Sequence, residues 1–189
     1  MPDIIDLFAG AGGLSLGASR AGFNVAAAVE LDSHAIASHT TNFPHSIHIQ
    51  RDIMELDGQT LLELSGVEAD NLVGIIGGPP CQGFSSIGHG DINDTRNQLF
   101  EKFFILIEQL KPAFFVAENV PGIMNSKYDA IRERAFSHVP IVIQVFNNIL
   151  DFINTATEAN STIRFVIFWF WQAWIKYITA FVLPKLYGS

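Results

Sequence analysis

The sequence predicts a doubly wound α/β fold with a mostly parallel sheet, and two observations support this prediction. Over the first 120 residues, short apolar runs alternate with amphipathic stretches, which is the pattern of strands joined by crossover helices. Hydrophobic residues make up 49% of the 189-residue chain and charged residues 16%, a composition that excludes a disordered protein. We therefore expect a folded domain over residues 1–138, followed by a segment of different character.

Five apolar runs are predicted to form the strands of the sheet. They cover residues 3–8, 25–30, 46–50, 72–77 and 113–117. Helices are predicted over residues 14–21, 33–42 and 99–110, with Ser33 as the N-cap of the second and Gly22 just past the end of the first. Because ligands bind beyond the carboxyl ends of parallel strands, the residues at those ends are the candidates for a site.

The residues that follow the first three strands predict a cofactor site. Residues 8–13 (FAGAGG) form a glycine loop ahead of a helix N-terminus, where a ligand can approach the backbone. Glu30 ends the second strand, where a carboxylate can bind ribose hydroxyls, and Asp52 could accept a hydrogen bond from an adenine amino group. This pattern would serve a nicotinamide dinucleotide as well as S-adenosylmethionine, although Ser15 stands where the dinucleotide motif needs its third glycine.

The strongest chemical signal surrounds Cys81, the one cysteine of the chain. Two prolines precede it and fix the backbone, while glycines on both sides allow a flat ligand to approach. A single cysteine excludes an internal disulfide and leaves the thiol free to act as a nucleophile. Glu118 ends the fifth strand, where burial would raise its pKa and let it act as an acid.

These segments resemble the DNA cytosine-5 methyltransferase family in order and spacing. DLFAGAGGLSLG at residues 6–17 is similar to that family's cofactor loop, GGPPCQGFSSIG at 77–88 to its catalytic loop, and ENVPGI at 118–123 to its Glu-Asn-Val motif. The resemblance covers about residues 3–138. It implies the Rossmann-like fold of S-adenosylmethionine-dependent methyltransferases, incomplete at the C-terminus, with S-adenosylmethionine as cofactor and double-stranded DNA as substrate.

The resemblance also implies residue roles. Cys81 would add to C6 of cytosine, Glu118 would contact N3 and the exocyclic amine, and C5 would then accept the methyl group. Phe8 would pack on the cofactor, and Pro80 would shape the base pocket. The implied catalytic residues are Cys81, Glu118, Pro80 and Asn119, and the implied cofactor contacts are Phe8, Ala9, Gly10, Gly12, Gly13, Leu14, Glu30, Leu31, Asp52, Ile53 and Pro79.

Several parts of the family pattern have no counterpart after residue 138. They are the Gln-x-Arg-x-Arg motif, the target recognition domain and the C-terminal segment that completes the cofactor site. The net charge is −8, and residues 1–140 carry 8 basic against 17 acidic side chains, which leaves few groups for DNA phosphates. The resemblance therefore implies a truncated or split methyltransferase, with restriction-modification as its setting and a second polypeptide as a partner for recognition.

Other interpretations remain open at this point. The chain could be a non-catalytic remnant that binds S-adenosylmethionine, a relative that acts on tRNA cytosine, or a nicotinamide-dependent dehydrogenase. The dehydrogenase interpretation gives no reason for the Pro-Pro-Cys-Gln segment at residues 79–82.

Residues 139–189 are predicted to form an apolar, helical tail. Residues 141–153 have helical spacing of apolar side chains, and residues 165–183 form an aromatic-rich apolar run. Lys176 lies within that run, and a lysine near the centre of a membrane helix costs on the order of 3 kcal/mol. An aggregation-prone or buried helix is therefore favoured over a membrane span. With no basic region before its first apolar run, the N-terminus does not resemble a signal peptide, and a cytoplasmic location is expected.

The histidines are expected to lie at the surface or at helix caps. His34, His39, His45 and His48 are scattered near one helix and one strand, and no cysteine lies among them. No metal site is therefore predicted.

Overall fold

The computed structural model describes residues 1–80, 97–139 and 179–182 of the chain. Within these ranges one sheet has the strands β1 (Asp3–Leu7), β2 (Asn24–Val29), β3 (Ile47–Ile49), β4 (Leu72–Gly77), β5 (Phe114–Ala117) and β6 (Thr179–Val182). The strand order is β3-β2-β1-β4-β5-β6, in which the first five strands are parallel and β6 is antiparallel to β5. The predicted α/β fold with a mostly parallel sheet is confirmed.

The described helices are α1 (Gly13–Arg20), α2 (Ser33–Asn42), α3 (Gly58–Ser65), α4 (Asn97–Leu110) and α5 (Asp129–Ser137). Short 3-10 helices cover Ile53–Glu55, Ala69–Asn71, Pro121–Met124 and Ser126–Tyr128. Helices α3 and α5 were not predicted. The prediction of Ser33 as N-cap is wrong: the side chain of Asp32 accepts the backbone N–H groups of His34 and Ala35 at 2.9 and 2.8 Å. A carboxylate there also meets the positive end of the helix dipole.

The strand order creates a crevice above β1 and β4. From β1 the chain moves outward to β2 and β3 and then crosses to the other side for β4 and β5. A doubly wound sheet binds its ligands where the direction of winding reverses in this way. At Gly77 a Cβ atom would lie 2.4 Å from the carbonyl oxygen of Leu7, so a glycine lets the ends of β1 and β4 approach each other.

Two hydrophobic clusters lie on opposite faces of the sheet. Alternate residues of β1 separate them, because Ile5 and Leu7 belong to the larger cluster and Ile4 to the smaller one. The larger cluster includes residues of α3, α4 and α5, with Phe104 of α4 edge-on to Phe115 of β5 at 5.8 Å between ring centroids. Aromatic packing of this kind gives β5 a rigid support beneath its carboxyl end.

The predicted helical tail is wrong for residues 179–182, which form β6. The backbone of these residues pairs with β5, from Ala117 opposite Thr179 to Phe114 opposite Val182. An unpaired edge of β5 would leave a row of backbone donors and acceptors, and an extended segment satisfies them where a helix would not. The predicted helix over 141–153 and the rest of the run at 165–183 lie outside the described residues.

Within residues 1–80, 97–139 and 179–182, no helix combines the length and the apolar character that crossing a membrane requires.

Candidate functional site

A cavity of about 530 Å³ opens at the carboxyl ends of β1, β2 and β3. Small-molecule sites in proteins commonly have volumes of about 300–1,000 Å³. The cavity is lined by Phe8, Val29, Glu30, Leu31, Asp32, Ser33, Gln50, Arg51, Asp52, Ile53, Pro80 and Leu99. Among these are six residues singled out from the sequence: Phe8, Glu30, Leu31, Asp52, Ile53 and Pro80. Residues from four different strand ends therefore share one cavity.

The carboxylate of Glu30 is held by three backbone N–H groups. Oε2 accepts from Gly10 at 2.9 Å, and Oε1 accepts from Leu31 at 2.8 Å and from Asp32 at 2.9 Å. The first of these bonds ties the end of β2 to the loop that follows β1. A carboxylate has about four acceptor positions, so Oε2 retains capacity for a ligand hydroxyl. Glu30 therefore anchors the loop as well as lining the cavity.

Residues 8–13, the glycine loop, turn sharply between β1 and α1. Phe8, Gly10 and Gly12 have φ values of 60°, 55° and 101°, in a region that L side chains rarely adopt. At Gly12 a Cβ atom would also lie 2.4 Å from the ring of Phe43. Phe8 holds this conformation despite its side chain, and backbone strain of that kind is concentrated at binding sites.

The other predicted cofactor contacts lie around the cavity and do not line it. Ala9 is buried, and its N–H donates to the carbonyl of Val29 at 3.1 Å. Gly12 and Gly13 line a second depression, of about 750 Å³, and Leu14 packs against the smaller hydrophobic cluster. Gly10 reaches the cavity only through its bond to Glu30, and Pro79 is buried.

The charge of the cavity lining is acidic. Among the described residues of that lining, three are acidic, Glu30, Asp32 and Asp52, and one is basic, Arg51. The Oδ1 atom of Asp52 accepts the N–H of Met54 at 2.9 Å, which orients its carboxylate at the start of the 3-10 helix Ile53–Glu55. A negative surface favours a cationic ligand and opposes a pyrophosphate.

Glu118 lies beyond the end of β5, beside the segment that follows β4. Its N–H donates to the carbonyl of Gly77 at 2.9 Å, and its Oε2 would lie 3.2 Å from a Cβ atom on Gly78. A larger residue at 78 would therefore crowd this carboxyl. Burial raises the pKa of Glu118 above its ordinary value, which brings the carboxyl closer to acting as an acid near neutral pH.

Asn119 connects the end of β5 to residues 78–80, the proline loop. Its Nδ2 donates to the carbonyl of Pro79 at 3.2 Å, and its Oδ1 accepts the N–H of Val120 at 2.9 Å. Cys81 follows Pro80 in sequence and lies outside the described residues. The bond made by Asn119 thus restrains the chain just before the candidate nucleophile.

Sequence reasoning missed a buried polar chain behind the glycine loop. Ser15 Oγ donates to Asp6 Oδ2 at 2.6 Å and lies 2.9 Å from His39 Nε2, and His39 Nδ1 lies 2.9 Å from His48 Nε2. Burial raises the pKa of Asp6 to about 7. The signal in the sequence was an aspartate, Asp6, inside the apolar strand β1. A buried carboxyl needs hydrogen-bond partners, so its position predicts polar side chains nearby.

The expectation of surface or capping roles is wrong for His39. Its side chain is 0% exposed and bonds to Ser15 of α1 and to His48 of β3. In the part of the chain that the structure describes, no three His, Cys, Asp or Glu side chains meet in a way that could hold a metal ion.

Comparison with known families identifies the relationship. A family model described as C-5 cytosine-specific DNA methylase matches residues 3–149. The chain belongs to this methylase family. The resemblance seen in the motifs of residues 6–17, 77–88 and 118–123 is thereby confirmed.

Individual relatives agree with this assignment. The methylase chain is 44% identical over 124 residues to the type II methyltransferase M.XorII of Xanthomonas oryzae pv. oryzae, covering 66% of this chain and 29% of that relative. It is 50% identical to a proposed DNA modification methyltransferase encoded within an E. coli prophage, with a TM-score of 0.66, over 74% of this chain and 38% of that one. It is 27% identical to Spodoptera frugiperda DNMT2, with a TM-score of 0.55, over 73% and 41% of the two chains. The chain thus spans less than half of each of these proteins.

Proposed function

We propose that this chain is the cofactor-binding and catalytic part of a DNA cytosine-5 methyltransferase in a type II restriction-modification system. The reaction transfers a methyl group from S-adenosylmethionine to C5 of cytosine in double-stranded DNA. The observation that carries the proposal is that Phe8, Glu30 and Pro80 line one cavity. A loop suited to a cofactor, an acid suited to ribose and the residue before the candidate nucleophile therefore share one space.

The lining of the cavity fits S-adenosylmethionine. Oε2 of Glu30 can accept a ribose hydroxyl, Asp52 can accept from the adenine amino group, and Phe8 and Ile53 offer apolar contact. S-adenosylmethionine carries positive charge near its reactive methyl group, whereas a nicotinamide dinucleotide carries a pyrophosphate. The acidic lining described above therefore supports the methyl donor over the dinucleotide.

The chemistry assigned to this chain is covalent activation of cytosine. The Cys81 thiolate adds to C6, and the electron pair of the C5–C6 bond becomes available at C5. Glu118 stabilises the electron-rich ring by protonating or hydrogen bonding N3, a role that its raised pKa supports. When bound, S-adenosylmethionine would supply the methyl group that C5 accepts, and its sulfonium would leave as a neutral thioether. Loss of the C5 proton and departure of Cys81 then restore the aromatic ring.

The base must leave the duplex for these groups to reach it. The carboxyl of Glu118 lies close to Gly78, and Pro80, two residues further along the chain, lines the cavity. We therefore propose that the flipped cytosine enters between the end of β5 and the proline loop.

DNA recognition is proposed to depend on a second polypeptide. Residues 1–140 carry a net charge of −9, from 8 basic and 17 acidic side chains, which opposes binding to a phosphate backbone. A basic partner would supply the phosphate contacts and the arginines of the Gln-x-Arg-x-Arg motif, which has no counterpart in this chain. We expect the chain alone to bind DNA weakly and the reconstituted complex to bind it with a steep dependence on salt.

Trapping with 5-fluorocytosine tests the proposal. The purified chain is incubated with S-adenosylmethionine and a random-sequence duplex in which 5-fluorocytosine replaces cytosine, and covalent complexes are separated by denaturing electrophoresis. Fluorine cannot leave C5 as a proton does, so the adduct persists. Because the chain alone is expected to bind DNA weakly, a faint shifted band is expected with the wild-type chain, and it is expected to disappear in Cys81→Ser.

Calorimetry with S-adenosylmethionine is the control for folding, because Cys81→Ser should bind the cofactor with wild-type affinity. A band that persists in Cys81→Ser would contradict the assignment of the nucleophile. Cofactor binding without a band, both alone and with a partner, would favour the alternative of a non-catalytic remnant.

A further inference from the structure

The glycine loop is closed at its base by a buried hydrogen bond. Asp6 lies on β1, two residues before the loop begins, and Ser15 lies in the first turn of α1, two residues after it ends. The bond from Ser15 Oγ to Asp6 Oδ2 is 2.6 Å long, and both side chains are fully buried. This contact joins the two ends of the loop, and neither side chain lines the cavity.

Helix α2 supports the same loop from behind. Nε2 of His39 lies 2.9 Å from Oγ of Ser15. Cδ2 of the same ring would lie 3.2 Å from a Cβ atom on Gly12. His48 of β3 in turn lies 2.9 Å from His39 Nδ1. The imidazole of His39 therefore packs against the loop at Gly12 while it is oriented by His48.

The directions of these bonds follow from the donors available. The hydroxyl of Ser15 has one proton, and it donates that proton to the carboxyl of Asp6. Ser15 must then accept from Nε2–H of His39, which leaves Nδ1 of His39 to accept from Nε2–H of His48. Burial lowers the pKa of both imidazoles, which agrees with neutral rings in this chain of donors. Each residue thus donates to the next in the order His48, His39, Ser15, Asp6.

Packing stability does not account for an acid at this position. In the described part of the chain, Asp6 Oδ1 is buried and has no hydrogen-bond partner. A buried carboxyl with an unsatisfied oxygen is less favourable than an apolar side chain of similar size. The hydrogen bond that the structure gives Asp6 is the one its other oxygen accepts from Ser15.

We infer that Asp6, Ser15 and His39 are positioning residues that hold the glycine loop in its binding conformation. They act through the loop, because Gly10 donates to Glu30 and Gly12 donates to the carbonyl of Ala9 at 3.0 Å. That S-adenosylmethionine binds this loop rests on the proposed function. That the three residues hold the loop in place concerns the ligand-free protein and does not depend on the ligand.

The test compares Ser15→Ala with Ser46→Ala. Ser46 is a matched control, because it is also buried and its hydroxyl donates to a backbone carbonyl, that of Val25, outside the glycine loop. Amide hydrogen exchange of Gly10 and Gly12 is measured in the ligand-free chain, and affinity for S-adenosylmethionine is measured by calorimetry. Ser15→Ala should raise exchange at both amides at least tenfold and weaken affinity at least fivefold. Ser46→Ala should change neither, even if it lowers the melting temperature equally.

A conservative variant separates the hydrogen bond from the charge. Asp6→Asn retains an oxygen that accepts from Ser15, so loop exchange and affinity should stay within about threefold of wild type. Wild-type exchange and affinity in Ser15→Ala would overturn the inference, as would equal increases of exchange in both serine variants. If exchange rises only in Ser15→Ala but the wild type binds no S-adenosylmethionine, loop positioning stands and the proposal that this chain by itself binds the cofactor is wrong.

Discussion

Replacing Glu30 with glutamine tests whether one side chain both holds the glycine loop and lines the cavity. The carboxylate accepts three backbone N–H groups, one from Gly10 and two from Leu31 and Asp32. Glutamine has the same shape but only one oxygen, and its amide group cannot accept a hydrogen bond. The variant must therefore place an N–H₂ group against at least one backbone donor.

The least costly orientation keeps the oxygen on the two donors of Leu31 and Asp32. The amide nitrogen then faces Gly10, so the bond to the glycine loop is lost together with the acceptor for a ribose hydroxyl. Hydrogen bonds to charged groups contribute about 1.5–3 kcal/mol, and the lower end applies because Glu30 is only half-buried. We expect Glu30→Gln to lose about 1.5 kcal/mol of folding stability, which corresponds to a melting temperature lower by about 3–6 °C.

Affinity for S-adenosylmethionine should fall by roughly 10- to 30-fold, since about 1.4 kcal/mol corresponds to a factor of ten. Calorimetry measures the affinity and circular dichroism the thermal unfolding. Glu63→Gln is the control, because Glu63 is an exposed carboxylate on α3 that bonds only to the Gln59 side chain among the described contacts. Wild-type affinity and melting temperature in Glu30→Gln would refute the reasoning. A lower melting temperature with unchanged affinity would leave Glu30 as a loop anchor without a ribose role.

Asp6, Gly12 and Asn119 each allow a further test of the geometry around the site. Burial raises the pKa of Asp6 from 3.8 to about 7, so the folding stability of the wild type should fall as pH rises through that window. Asparagine does not titrate, so the folding stability of Asp6→Asn relative to wild type should increase by roughly 4 kcal/mol between pH 4 and pH 8. Urea unfolding at several pH values measures this gain, and a constant difference would contradict it. Gly12→Ala should lose at least about 2 kcal/mol of folding stability, measured by thermal unfolding, because its φ is 101° and the added Cβ would clash with the ring of Phe43. Gly17→Ala is the control: it lies in open space on α1, so the substitution should be neutral or stabilising by about 1 kcal/mol. Asn119→Ala should slow adduct formation about tenfold with little change in cofactor affinity, because it frees the proline loop; equal rates would exclude that role.

Local sequence patterns were sufficient for elements whose apolar residues are strongly periodic or bounded by glycine. Strand β4 and helix α2 have the predicted limits, Leu72–Gly77 and Ser33–Asn42. Helix α5 (Asp129–Ser137) was missed because its N-cap residue, Tyr128, makes no side-chain capping hydrogen bond and so gives no signal of where the helix begins. Contacts with α4 hold it in place. In those contacts Arg134 pairs with Glu101, and His138 with Glu108. Interactions of this kind have no signature within the helix itself.

The sequence by itself determined the family and the set of strand-end residues that meet at the rim. Parallel strands joined by crossovers bring their carboxyl ends to one edge, which predicts that Phe8, Glu30, Asp52 and Pro80 lie close together, and these four residues line one cavity. Only the tertiary structure decided that Glu30 also ties down the glycine loop. It alone joined Asp6, Ser15, His39 and His48, because these side chains come from two strands and two helices and meet by packing, which no local period in the sequence encodes.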